Sequence, residues 1–152
     1  MEDYAGAYES RLSDVRALLG LPIPRTVAAV HLGGVAIECR LKDLVLAYHK
    51  IASWDEKSAR PKDTWLGKPI ARPGHGLVSI MRLMNDLYQK GRNDKNFITH
   101  LNRLMHPTGA TQVDFIELRY TSAEVSKASL KDWKESLEYV CGWLKKNEKV
   151  TP

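Results

Sequence analysis

Cysteines and long apolar runs are scarce in this sequence. Cys39 and Cys141 are its two cysteines. Each lies inside a helical apolar pattern, so core thiols are expected rather than a disulfide. Neither belongs to a thiol–disulfide motif, and neither sits in a polar loop where a nucleophilic cysteine would be activated. No run of eighteen apolar residues exists, which argues against a spanning helix, and the opening MEDYAGAYES is acidic and polar, unlike a signal peptide. A cytoplasmic protein without a membrane partner is expected. The histidines, at 31, 49, 75, 100 and 106, include no H-E-x-x-H, and close-spaced cysteine pairs are missing too. Metal and cofactor are therefore both expected to be none. Gly33-Gly34 follows no strand and has no third glycine or lysine at the spacing a phosphate-cradling loop needs.

What is present is helix. The 152 residues suffice for one domain, 1–152, with a sizeable core. The periodicity predicts a first helix over about Tyr4–Leu19, ended by Gly20, Pro22 and Pro24. Thr26 is expected to cap a long second helix running to about Trp54. On it Val30, Gly34, Ile37, Leu41, Leu44 and Tyr48 share one face. The adjacent glycines suggest a close helix crossing, since each costs about 1 kcal/mol of propensity in a helix interior. Residues 55–74 read as a long basic loop, either a recognition loop or a variable insertion. A third helix is expected at about His75–Gln89 and a shorter one at Asp94–His106. VDFIELRY (113–120) reads as a helical turn or irregular packing segment, because one strand would have nothing to pair with. Thr121–Glu124 matches a capping box that should start a short turn of helix, and a last helix is expected at Ser129–Lys146. The fold class is all-α: an up-and-down bundle of about five helices with a long second one.

The net charge of +5 is concentrated centrally, with 13 Lys/Arg against 7 Asp/Glu in residues 38–103. That excess fits a polyanionic partner or a plain solvated surface. Lys62, Trp65, Lys68 and Arg72 are the candidate nucleic-acid contacts in the loop. An aromatic among cations can stack on a base, or it can anchor the loop on the bundle. Glu38 lies within an apolar run, where a carboxylate needs a partner. His31, Glu38 and Arg119 form a candidate polar cluster, structural or ligand-binding, with Arg119 able to grip the carboxylate bidentately. The alternative is a local Glu38–Lys42 pair at i,i+4.

HLGGVAIECRLKDLVLAYHK (His31–Lys50), GHGLVSIMRLMNDL (Gly74–Leu87) and ELRY (Glu117–Tyr120) together resemble the HEPN superfamily of small all-alpha proteins. Ala36, Glu38, Leu41, Lys42, Leu44 and Leu46 stand close to that family's A-x-E-x-x-L-K-A-L-L segment, with Asp43 where an alanine is usual. His75-Gly76-Leu77 matches the start of the next helix, and Arg119-Tyr120 matches the R-Y that follows it. The resemblance implies a homodimeric module associated with RNA or nucleotides. It also implies service in toxin–antitoxin or defence systems, sometimes beside a nucleotidyltransferase-like partner.

Other members of the family are metal-independent endoribonucleases with an Arg-polar-x-His motif. Here Arg92, Asn93 and His100 are the candidate catalytic residues, at a wider spacing than the family uses. Such a site would need a base at the 2′-hydroxyl and a cation on the pentacoordinate phosphate. A helical dimerisation scaffold without a nucleic-acid role is the third reading.

Overall fold

Asp3 begins the first helix by accepting the Gly6 N–H at 2.8 Å, the N-cap bond that starts α1 (Tyr4–Leu19). The computed structural model describes residues 2–60, 67–122 and 124–150, residue 150 by its backbone alone. After the proline-rich turn comes α2 (Thr26–His49), along which α1 packs. Val30, Gly34, Ile37, Leu41, Leu44 and Tyr48 are all buried, as their spacing predicts.

Two details of α2 differ from the sequence expectation. Arg25, not Thr26, occupies the N-cap position, and no side chain caps the first turn. The helix also stops at His49 rather than near Trp54. Lys50 turns left-handed (φ 55°), and its N–H closes back on the carbonyls of Leu46 and Ala47.

The glycine pair marks close crossings. A Cβ built on Gly33 would stand 2.3 Å from Cζ2 of Trp133, and one on Gly34 would stand 2.2 Å from Cδ2 of Phe115. Only hydrogen side chains let the chain segments carrying Trp133 and Phe115 come this near to α2.

The single helix expected at His75–Gln89 is two helices, α3 (Leu77–Arg82) and α4 (Asn85–Arg92). The cause lies at the end of α2. Buried His49 donates its Nε2–H to the Leu83 carbonyl at 2.5 Å and takes the Ser58 hydroxyl on Nδ1 at 2.8 Å. The Tyr48 hydroxyl accepts the Asp86 N–H at 3.3 Å, which serves a donor in the first turn of α4. Backbone groups released by the break thus find partners on a neighbouring helix, a long-range arrangement that local periodicity does not encode.

In the long loop the described limbs pair with each other. The Asp55 N–H donates to the Ile70 carbonyl at 2.7 Å, the Ile70 N–H to Glu56 at 3.1 Å, and Ile70 itself is fully buried. Next come α5 (Lys95–Met105), a 3-10 helix at Phe115–Tyr120, and α6 (Lys127–Asn147), which a short 3-10 turn (Glu148–Val150) extends. The 113–120 stretch is therefore helical, with Phe115 and Leu118 in the core one 3-10 turn apart.

The short turn of helix expected from the Thr121–Glu124 capping box does not form: Thr121, Ser122 and residues 124–126 lie outside any helix, and α6 starts after them. Ser126 is its N-cap, accepting the Ser129 N–H at 3.1 Å. Among the described residues there are six α-helices rather than about five, no strand, and one isolated bridge between Lys57 and Pro69. No helix among them is long and apolar enough to cross a membrane.

Candidate functional site

Glu38 and Lys42 lie one turn apart on α2, both buried, with Nζ 2.7 Å from Oε1. His75, half-exposed ahead of α3, faces the same carboxylate with Nδ1 3.0 and 3.1 Å from its two oxygens. A carboxylate only accepts, so Nδ1 carries the hydrogen. This corrects the expected Glu38–Arg119 pair. The buried carboxylate is satisfied from its own helix and from His75, while Arg119 is exposed, with its guanidinium 4.6 Å from the Tyr120 ring centroid. The cluster ties the entry of α3 to α2. Both cysteines are free and half-buried, and burial pushes both thiols up from their ordinary pKa.

The candidate catalytic residues are placed apart in their contacts. Arg92 ends α4 and Asn93 follows it, both exposed. His100, on α5, turns toward α6: Nδ1 is 3.0 Å from the Ser136 hydroxyl, and its ring stacks on Tyr139 at 4.1 Å. Between them Asp94 caps α5, accepting the Phe97 N–H at 3.0 Å and the Trp143 indole N–H at 3.0 Å. The Phe97 N–H foremost, with help from Trp143, holds the Asp94 carboxyl below its ordinary pKa. The residues between Arg92 and His100 are two caps, Asn93 and Asp94, and about one and a half turns of helix, and the described contacts of the imidazole are with α6.

Of the loop candidates, Lys62 and Trp65 lie outside the described residues. Lys68 and Arg72 are exposed, and Arg72 is ion-paired with Glu2. Near them Trp54 is an anchor: its indole N–H donates to the Tyr4 hydroxyl at 2.9 Å, and the two rings meet edge-on.

His31 and Arg119 do share a place. Together with Arg25, Thr26, Thr121, Ser122 and others they line a cleft of about 490 Å³ between the start of α2 and the 3-10 helix. His31 donates its Nδ1–H to the Phe115 carbonyl at 2.9 Å, which fixes the ring against the floor and leaves Nε2 uncommitted by that bond. Two arginines, an imidazole and three hydroxyls border an opening at the uncapped start of a 24-residue helix. Glu124 is the acidic residue on the rim. The arrangement suits an anion with several acceptor oxygens, because the charge is cationic and the first-turn N–H groups have no side-chain cap.

Arg25, Thr121 and Ser122 went unremarked in the sequence as site residues. The available signal was the absence of an acidic residue in the first turn of α2. Among the described residues no group of three or more His, Cys, Asp or Glu could hold a metal ion. No family model, curated protein or solved structure matches the chain.

Proposed function

We propose that this protein is an RNA- or nucleotide-associated helical module whose phosphate-receiving site is the cleft between α2 and the 3-10 helix. The observation that carries the reading is the convergence of Arg25, Arg119 and His31 on one opening in a chain of net charge +5. Phosphate oxygens recruit such groups without regard to sequence. The HEPN resemblance points the same way. It extends the reading to a homodimer working in a toxin–antitoxin or defence system, beside a nucleotidyltransferase-like partner. Catalysis by Arg92 and His100 has less behind it, because the His100 ring is engaged with Ser136 and Tyr139.

The test is fluorescence anisotropy with a labelled single-stranded RNA at low and at physiological salt. Binding should weaken steeply as salt rises and fall at least about tenfold in the Arg25→Glu, Arg119→Glu double variant. An RNA affinity that ignores both salt and the double reversal would refute the assignment. So would no RNA or nucleotide binding at low salt.

A further inference from the structure

We infer that Tyr120 is a base-stacking platform beside the cleft, so that the ligand is a nucleotide unit with an unpaired base. The inference rests on the phosphate reading of the cleft and adds what its phosphate is attached to. Tyr120 is 76% exposed, the only aromatic among the large apolar side chains that the described residues leave in solvent. Its position follows from the 3-10 geometry. At about three residues per turn, Phe115 and Leu118 fall on the buried face, and a residue two further on cannot join them.

Arg119 links ring to cleft. It lines the opening, and its guanidinium lies 4.6 Å from the Tyr120 centroid. A cation at that distance covers one ring face by cation–π attraction, and the high exposure means the remaining surface is open. Residues on both sides of Tyr120, Arg119 and Thr121, line the cleft, so the backbone that carries the ring runs along its margin and the Arg119 guanidinium bridges the two. A flat π surface in solvent next to cationic phosphate ligands fits a base joined to its phosphate. A base inside a duplex is already stacked and cannot use such a platform. Unpaired RNA and a free nucleotide offer the same chemistry, and the test separates them.

The experiment measures a labelled single-stranded 12-mer RNA, the same sequence as a duplex, and adenosine monophosphate as competitor. The full chain is compared with Tyr120→Ala, Tyr120→Trp and the Arg25→Glu, Arg119→Glu double variant. Removing an exposed side chain leaves the core intact, and a thermal melt checks this. Tyr120→Ala should weaken the single strand about tenfold, the size expected for one base on one aromatic ring. Tyr120→Trp should restore binding. The salt dependence should be unchanged in Tyr120→Ala, because stacking releases no counterions.

Competition by the mononucleotide at an affinity like that of the 12-mer supports the inference with a free nucleotide as ligand. Failure to compete at millimolar concentration supports it with an RNA strand. If Tyr120→Ala binds the single strand within twofold of wild type while the double reversal weakens it, the platform is wrong and the phosphate cleft stands. An equal loss on duplex RNA also overturns the platform. Absence of any nucleic-acid or nucleotide binding by wild type overturns both readings.

Discussion

Substituting Gly34 by alanine should destabilise the protein even though alanine is the better helix former. The gain is about 1 kcal/mol, the propensity difference in a helix interior. The loss comes from Phe115, whose Cδ2, Cγ and Cβ would stand 2.2, 2.4 and 2.9 Å from the new methyl carbon. Because Phe115 Cβ is among them, rotating the ring alone does not clear the clash, and the ring has no solvent-facing room. The 3-10 helix must shift as a unit. Overpacking of this kind costs about 1–3 kcal/mol, and a fully buried ring met at three atoms belongs at the top of that range.

The net expectation is a loss of about 2 kcal/mol, or about 4–8 °C in Tm for a chain of this size. Gly142→Ala is the internal control. It also lies in a long helix, but nothing stands within 4 Å of the added carbon, so it should gain about 1 kcal/mol. Circular dichroism melts and urea titrations of both variants read the difference. A Gly34→Ala protein as stable as wild type would refute the crossing argument. Since the Phe115 carbonyl holds His31, the same variant should also weaken RNA binding at the cleft.

Two further perturbations address polar groups. Glu38→Ala leaves Lys42 buried without its carboxylate and should cost about 3–5 kcal/mol, whereas adding Lys42→Met should recover much of it; strict additivity in urea melts would rule out a coupled pair. Asp94 has a folded pKa below its unfolded one, so the stability it lends is complete above about pH 4 and disappears as pH falls through the lowered value. Asp94→Asn should flatten the acid limb of a stability–pH curve, and an unaltered limb would dismiss the contribution.

Much of the fold was legible because burial imposes period. The α2 face and the close approach at Gly33-Gly34 both follow from side-chain spacing and size. What escaped depends on partners distant in sequence. The break at Leu83 is stabilised by His49 and Tyr48, more than thirty residues earlier, and local sequence gives no sign of it. The site was half legible. His31 and Arg119 meet at one cleft, but Glu38 points to His75 instead, and the choice between His75 and Arg119 is a matter of three-dimensional placement. Arg25 carried no periodic signal, because a cap position belongs to neither face of its helix.

The bend between α3 and α4 has a consequence for how the protein is made. Its template is the last turn of α2, which leaves the ribosome well before residues 83–86 do. Chains fold from the amino end during synthesis, so His49 and Tyr48 are available when the stretch they shape emerges. A circular permutant that placed Leu77–Arg92 ahead of α2 would reverse that order. The segment would then emerge before the partners that hold its break, and Leu83 and Asp86 would wait for them.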